Sequence, residues 1–406
     1  MNYSTQTYLY IDATIGRVGA FVLDRLARIL NIIRCVPRDI PQAPKCIVIS
    51  KFMGIGSIVQ AFPFLKYLRK RYPTTRILLV TFKDNEVFSQ LLSAVDKAYF
   101  IDKSTLLSLA VTTFKALRLI KNEKPTITID LEVYSSFSRI LTFLIFSPYR
   151  LGFFLINTIS RKGIFTHLLY FNRFQHISRV YKNMAYLAGV PKEYVFDNEE
   201  LTDMLKIPFD SEQEAEKILR GLGVKDKKII FININASDLC IERRWPADCF
   251  SILIKQLLKL QNTAVILIGA DKEWEYNQKC IEQINAVTGE IKVHNIAGRS
   301  SLPVFLALLK MGDLLVTNDS GPMHLGDLMG CPTVSLWGPG TPQSYAPQNS
   351  KHIVIYHSVY CSPCLYMINE RPCGGDNICM RSITPQEVFE ACVQVLDWRK
   401  ECVKVK

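Results

Sequence analysis

A short polar segment in the C-terminal half of the chain combines the groups that bind a diphosphate. It reads Asp319-Ser320-Gly321-Pro322-Met323-His324 and follows the strand-like apolar run 314–317. Asp319 or Ser320 can cap the next helix, and Gly321 lets a ligand approach the backbone closely. Free amides at a helix start, together with the positive end of its dipole, suit phosphate oxygens, and His324 can add a donor. The segment therefore predicts a diphosphate site.

Four cysteines near the C-terminus have a spacing that could bind a metal. They form the pattern Cys361-x2-Cys364-x8-Cys373-x5-Cys379, in which the first pair has the spacing of a metal knuckle. Four thiolates would complete a structural zinc or iron site. The alternative is a tight loop with reduced, buried cysteines, and the sequence leaves both open.

The elements that position these residues alternate along the chain. Short apolar runs at 46–50, 76–81 and 126–130 are separated by helical stretches, and the pattern restarts at 227–233, 264–268, 314–317 and 333–337. Alternating strands and helices imply a parallel sheet, and the restart implies two doubly wound α/β domains. Ligands of such sheets bind beyond the carboxyl ends of the strands, so a cleft between the domains is the expected site.

The N-terminal segment has the pattern of a basic amphipathic helix. Apolar residues recur there at helical spacing, at Val18, Val22, Leu26, Ile29 and Ile33. Arg17, Arg25 and Arg28 fall largely elsewhere on the helical wheel. The helix could lie on an anionic membrane face or pack on its own domain, and both interpretations stay open.

Composition narrows the classes of protein. The 406 residues include 49 basic and 37 acidic side chains, a net charge of +12 that favours anionic partners. Twelve cysteines in a long chain without a secretory leader favour a reducing cytoplasm over a disulfide scaffold. No apolar run approaches the roughly 20 residues that span a bilayer. Gly54-x-Gly56 lacks the third glycine of a dinucleotide fingerprint, which argues against a nicotinamide-dependent dehydrogenase.

Together, these motifs resemble a known family. The run from Asp313 through His324 to Gly338-Pro339 resembles the signature of glycosyltransferase family 9, the lipopolysaccharide heptosyltransferase family: a strand, Asp-Ser/Thr-Gly-x-x-His, Gly-x-Pro, a strand and Gly-Pro. Gly54-Ile55-Gly56 is similar to the family's first glycine loop, and Arg243-Arg244-Trp245-Pro246 to its Lys-Arg-Trp-Pro segment. The resemblance covers most of the chain from Lys45 onward.

The resemblance implies a GT-B architecture of two Rossmann-like domains. An amphipathic extension would occupy residues 1–44, an acceptor-binding domain 45–205 and a nucleotide-sugar donor domain 206–384. Residues 385–406 would form a helix that crosses back to the first domain.

The resemblance also implies roles for individual residues. The donor diphosphate would contact residues 319–324, together with Arg243 and Ser237. Glu273 would lie near the nucleoside ribose, with a solvated acid at a helix start as the alternative. Gly54 and Gly56 would form the acceptor loop.

The first glycine loop departs from the family pattern at the expected catalytic base. Family members that transfer heptose usually carry aspartate where this chain has Ser57, and a serine hydroxyl cannot act as a base near neutrality without a partner. We expect Asp130 to substitute for it, at the end of a strand that faces the cleft. Glu132, the substrate itself, or weak or lost transfer are the alternatives.

The implied reaction is inverting transfer of a sugar, with heptose from ADP-heptose favoured, to a lipopolysaccharide-core or related glycan acceptor. Another nucleotide-sugar donor, or a catalytically silent glycan-binding protein, remains an alternative because of Ser57. Catalysis would require no cofactor. The expected partners are the donor and a lipid-linked or glycan acceptor, without nucleic acid, and the expected location is cytoplasmic with peripheral contact to the inner face of the cytoplasmic membrane.

Overall fold

The computed structural model of the chain describes residues 5–34, 39–155, 161–194, 204–236, 240–288, 293–365, 367, 373 and 376–404. The chain divides into two units, Met1–Lys206 and Ile207–Lys406. Each unit contains a six-stranded parallel sheet, so the prediction of two doubly wound α/β domains is confirmed. The expected cleft between the domains stays a prediction.

The first unit has the strand order β3-β2-β1-β4-β5-β6. Its strands are β1 (Cys46–Ser50), β2 (Arg76–Phe82), β3 (Lys97–Ile101), β4 (Ile127–Asp130), β5 (Tyr149–Phe154) and β6 (His167–Tyr170). Its helices are α1 (Thr5–Ile11), α2 (Arg17–Arg34), α3 (Ile55–Gln60), α4 (Phe62–Arg71), α5 (Glu86–Gln90), α6 (Leu106–Asn122), α7 (Ser136–Ile145) and α8 (Ile177–Leu187). β1 and β4 are buried along their whole length, as expected for central parallel strands covered on both faces.

The second unit has the strand order β12-β11-β10-β7-β8-β9. Its strands are β7 (Lys228–Asn233), β8 (Thr263–Leu267), β9 (Val293–Asn295), β10 (Leu314–Asn318), β11 (Thr333–Trp337) and β12 (His352–Tyr356). Its helices are α9 (Phe209–Gly221), α10 (Ala247–Leu257), α11 (Trp274–Thr288), α12 (Leu302–Met311), α13 (Gly321–Leu328), α14 (Pro342–Tyr345), α15 (Ile378–Arg381) and α16 (Pro385–Lys404). α16 packs on α10 and on β10, β11 and β12 of the same unit, whereas its crossing to the first domain stays a prediction.

The predicted N-terminal amphipathic helix is present as α2 and belongs to the first unit. It packs on α7, and its small residues Ala20 and Ala27 are fully buried. The buried carboxylate of Asp24 accepts hydrogen bonds from the amides of Gly163 (2.8 Å) and Ile164 (3.3 Å). The five apolar residues of the predicted stripe are all exposed, so the stripe itself does not pack on this domain. Within the described residues, no helix is both long enough and apolar enough to cross a bilayer.

Candidate functional site

The second sheet brings polar residues together where its strand order reverses. β7 and β10 are neighbours, and the chain leaves β7 toward β8 on one side and β10 toward β11 on the other. Ligands of doubly wound sheets bind beyond the carboxyl ends of the strands at such a reversal. Asn233 ends β7 and Asn318 ends β10, so Asp319 and Ser320 lie at this edge.

Arg243 and Asp319 form an ion pair at this edge. The guanidinium Nη1 lies 3.7 Å from Asp319 Oδ2, and the two side chains are only 13% and 10% exposed. Burial raises the pKa of Asp319, and Arg243 acts in the opposite direction. Arg243 Nε is buried and has no hydrogen-bond partner among the described residues. A buried cation with an uncommitted N–H can serve a phosphate oxygen.

Ser320 is held by hydrogen bonds from behind. Asn233 Nδ2 donates to Ser320 Oγ (2.9 Å) and to Thr317 Oγ1 (3.1 Å), while the Thr317 hydroxyl donates to the carbonyl of Asn318 (3.0 Å). Ser320 Oγ also lies 3.1 Å from Thr317 Oγ1, and because the Thr317 hydroxyl donates to Asn318, Ser320 is the donor in this contact. Ser320 is the N-cap residue of α13, one of the two candidates from the sequence, but its side chain makes no capping hydrogen bond.

The first turn of α13 offers both an anchor and an opening. Met323 is fully buried and packs with Trp337 and Ala346, so its side chain anchors the turn and does not face a ligand. A Cβ built on Gly321 meets nothing within 4 Å. His324 is partly exposed in the same turn, after Pro322. The turn therefore has room for a ligand beside Gly321, as the sequence suggested.

Buried asparagines behind the turn were missed at the sequence level. Asn235 Nδ2 donates to Asn277 Oδ1 (3.0 Å), and Asn277 Nδ2 donates to the carbonyl of Ile268 (3.2 Å). Asn318 Oδ1 accepts from the amide of Trp245 (3.0 Å), whose buried indole packs against the core. The available signal was that β7, β9 and β10 each end on asparagine. These neutral amides fix the loops without adding negative charge near an anion.

Glu273 and Ser237 were also predicted to contact the nucleotide-sugar donor. The carboxylate of Glu273 accepts from the amide of Ala270 (2.7 Å), so it caps the turn that precedes α11. It also lies close to Gly269, where an added Cβ would come within 2.8 Å of Glu273 Oε2. Its contact with a ribose stays a prediction. Ser237 lies outside the described residues.

The first glycine loop is present at the carboxyl end of β1. Gly54 has φ 73° and ψ 145°, which residues with a side chain rarely adopt, and it begins α3, which contains Gly56. The Ser57 hydroxyl donates to the carbonyls of Met53 and Gly54, the latter at 2.9 Å. Ser57 thus stabilises the loop and directs its proton toward the backbone.

Asp130 is buried in the sheet interior and does not face an opening. It is 0% exposed, and its Oδ1 accepts from Ser50 (3.2 Å), from the amide of Glu132 (2.9 Å) and from Ser138. Its carboxylate is therefore enclosed, and its role as the catalytic base stays a prediction. Burial raises the pKa of Asp130 to about 6, although Arg161 acts in the opposite direction. Asp130 Oδ2 has no hydrogen-bond partner among the described residues.

Glu132 ties the start of the glycine loop to β4. Its Oε1 accepts from the amides of Phe52 (2.7 Å) and Met53 (3.2 Å) and from Lys51 Nζ (3.1 Å). Burial acts to raise the pKa of Glu132, but Lys51 and the amides outweigh it and the pKa is lowered. Glu132 is thus a committed anion and a poor proton acceptor.

The four C-terminal cysteines lie around one pocket. Cys361, Cys364, Cys373 and Cys379 all line it, together with Glu242 and Tyr360. Burial raises the pKa of Cys379 to about 11, which favours the neutral thiol. Across the described ranges, no group of three or more potential ligands is placed to hold a metal ion. The described geometry therefore gives no support to a zinc or iron site.

The second unit contains most of the region that matches a known family. Residues 173–373 match the family described as glycosyltransferase family 9 (heptosyltransferase), and this range includes Arg243 and the turn at residues 319–324.

Two relatives of this chain are lipooligosaccharide heptosyltransferases 2 of Campylobacter jejuni. The protein of Campylobacter jejuni serotype O:6 is 23% identical over 340 residues, which cover 83% of this chain and 94% of the relative. That of serotype O:2 is 29% identical over 196 residues, which cover 47% of this chain and 57% of the relative. The chain thus spans little more than half of one relative and nearly all of the other.

The fold is shared with a solved structure. The ADP-heptose lipopolysaccharide heptosyltransferase II of Escherichia coli matches with a TM-score of 0.67 at 20% identity, covering 88% of this chain and 99% of that one.

Proposed function

Because residues 173–373 match glycosyltransferase family 9 (heptosyltransferase), we propose that the protein is an inverting heptosyltransferase of this family that uses ADP-heptose. The acceptor would be a hydroxyl of a lipopolysaccharide-core or related glycan. The names of the Campylobacter relatives support the sugar, and the name of the Escherichia coli structure supports the nucleotide. The observation that carries the proposal is the buried Arg243 beside the open turn at Gly321.

The donor diphosphate would bind at the start of α13. Arg243 would donate to a phosphate oxygen through its unpartnered Nε, and Ser320 would donate once its hydroxyl hydrogen turns from Thr317 to the ligand. The amides of the first helical turn and His324 would add further donors, and Ser237 and Glu273 complete the proposed set. These groups are aimed at the charge that grows on the leaving diphosphate, so they would accelerate departure of the sugar without a cofactor.

Activation of the acceptor requires a base in the first unit, and we propose Asp130. Its pKa of about 6 and its unpartnered Oδ2 suit proton transfer better than the committed anion of Glu132. Because Asp130 is fully buried, the residues that enclose its carboxylate must shift before an acceptor hydroxyl can reach it. Asp130→Asn should then abolish turnover while ADP affinity stays unchanged, and wild-type kcat should fall as pH drops below about 6. Full turnover by the variant would remove Asp130 from this role.

We further propose that the acceptor is lipid-linked and that the protein acts at the inner face of the cytoplasmic membrane. A net charge of +12 and the exposed apolar residues of α2 support this location.

A donor panel tests the proposed function. Purified protein is titrated by calorimetry with ADP, UDP and GDP, and transfer is then measured with ADP-heptose and with other nucleotide sugars. We expect ADP to bind most tightly and ADP-heptose alone to support turnover. Binding of no nucleotide would contradict the donor site, and turnover with another donor would replace heptose in the proposal. His324→Ala, which removes one proposed donor, should reduce turnover, whereas Lys217→Ala on exposed α9 is the control.

A further inference from the structure

Two helices of the first unit expose apolar stripes to solvent. On α2 the most exposed apolar side chains are Ile32 (77%) and Ile33 (72%), and the exposed stripe also includes Val18, Val22 and Ile29. Single exposed apolar residues are ordinary, but a continuous apolar stripe along a helix of 18 residues is typical of a surface that contacts another protein or a membrane.

The second stripe lies on α6, in a part of the chain that the sequence alone did not single out. Leu107 (75%), Val111 and Phe114 (70%) are exposed at spacings of four and three residues. Arg118 and Lys121 continue the same side of the helix with the same spacing and are also exposed. The helix thus presents an apolar half followed by a basic half.

The two stripes belong to one helical layer. α7 packs against α2 and also against α6. α7 adds the exposed apolar side chain of Leu144 to the same layer. The three helices form what we call the α2–α6 surface, defined by the exposed residues of Arg17–Arg34, Ser136–Ile145 and Leu106–Asn122.

The charges of this surface have one sign. Asp24 is the only acidic residue in the sequences of α2, α6 and α7, and it is buried at 1% exposure beside Arg28 (3.1 Å). Exposed basic residues accompany the apolar stripes, at Arg17, Arg25, Lys115, Arg118 and Lys121. Apolar side chains mixed with cations and without exposed anions match the boundary between acyl chains and anionic headgroups.

We propose that the α2–α6 surface docks on a bilayer that contains anionic lipids. The apolar stripes enter the boundary between headgroups and acyl chains, and the arginines and lysines contact lipid phosphates. A second copy of the chain is a poorer occupant, because two such faces would bring cations against cations. The inference deepens the proposed function, since a lipid-linked acceptor would then be met at the surface where it resides.

Vesicle flotation with the full-length protein tests the docking. The protein is mixed with vesicles that contain phosphatidylglycerol or with vesicles of phosphatidylcholine alone, without donor or acceptor. We expect flotation with the anionic vesicles and much less with the neutral ones, and release as salt is raised. Failure to float with anionic vesicles at low salt would overturn the proposal. If the protein floated with these vesicles but showed no sugar transfer in the donor panel, only the proposed function would be overturned.

Charge reversal tests the basic component. The double variant Arg17→Glu with Arg25→Glu should weaken partition into anionic vesicles by about tenfold or more, since each basic residue near such a surface contributes substantially. The matched control is Lys217→Glu with Lys225→Glu, two exposed residues of the second unit that should leave partition nearly unchanged. If both double variants lost the same amount of vesicle binding, binding would depend on net charge alone, and the assignment to the α2–α6 surface would be wrong.

Loss of apolar side chains tests the second component. Leu107→Ser with Phe114→Ser should also weaken partition by about tenfold or more. The matched control is Phe209→Ser with Ile252→Ser, which are exposed in the second unit. All four residues are at the surface, so thermal melting should show folded proteins. If the Leu107 and Phe114 variant instead dissolved a dimer and left vesicle binding intact, the surface would be a contact between copies and the proposal would fail.

Discussion

Replacing Arg243 by methionine should weaken both folding and donor binding, because one guanidinium serves Asp319 and the proposed diphosphate. Arg243 Nη1 lies 3.7 Å from Asp319 Oδ2 in a largely buried environment. At this separation and an effective dielectric constant of about 20, the attraction is on the order of 4 kcal/mol. Relief of the guanidinium's own desolvation offsets part of it, so the free energy of unfolding should fall by about 2–3 kcal/mol.

The effect on binding can be separated from the effect on folding by removing the charge of Asp319 as well. Arg243→Met combined with Asp319→Asn leaves no unpaired carboxylate, so we expect most of the lost stability to return. ADP affinity should be about 10- to 100-fold lower than that of wild type in both variants, because a charge-assisted hydrogen bond to phosphate contributes about 1.5–3 kcal/mol. The control is Arg220→Met, whose surface pair with Glu216 should be worth less than about 1 kcal/mol.

Chemical denaturation gives the unfolding free energies, and titration calorimetry with ADP gives the affinities. If the double variant bound ADP as tightly as wild type, Arg243 would not contact the donor. If Arg243→Met were as stable as Arg220→Met, the ion pair with Asp319 would not contribute as argued.

Three further predictions follow from neighbouring features. Gly321→Ala should leave thermal stability unchanged, because a Cβ at this position meets nothing within 4 Å. It should lower ADP affinity about tenfold, because the added methyl group would occupy the space of a phosphate. If calorimetry gave the same ADP affinity as wild type, the ligand would bind elsewhere. Asn233→Ala and Ser320→Ala should each weaken ADP binding, and the double variant should lose at least about 1 kcal/mol less binding free energy than the two single variants added together. If the two losses simply added up, Asn233 would not act through Ser320. Asp130 has a folded pKa of about 6, above its ordinary 3.8, so it contributes stability that is present below about pH 4 and lost as pH rises through 6. Relative to Asp130→Asn, wild type should therefore lose about 3 kcal/mol of unfolding free energy between about pH 4 and pH 7, and parallel pH profiles in denaturation would contradict the raised pKa.

The sequence was sufficient for seven of the strands and for the turn at residues 319–324, whose role in donor binding stays a proposal. Short runs of β-branched residues and the glycine at position 54 specify strands and turns locally, and the two sheets follow from their alternation. The sequence could not show that the Ser320 side chain makes no capping bond, because its partner Asn233 is 87 residues away along the chain. Local pattern carries no information about such a contact.

Burial was the second quantity that the sequence could not supply. Asp130 ends a strand, and nothing in its neighbourhood along the chain shows that Ser50 and Ser138 enclose its carboxylate. The same holds for α2, whose apolar stripe is compatible with burial or exposure. Only the packing of Ala20 and Ala27 on the fold determines which side of that helix meets solvent.

Both halves of the chain repeat one topology, which has a consequence for how they divide their work. Counted from the first strand of each half, the two strand orders are the same, so the β1–β4 pair and the β7–β10 pair are equivalent positions. The first position encloses the acids Asp130 and Glu132, whereas the second combines buried asparagines with Asp319, which is paired with Arg243. The same framework thus differs in electrostatics at its two reversal points, and the half whose buried acid is matched by an arginine with an unpartnered N–H is the one suited to receive an anionic nucleotide.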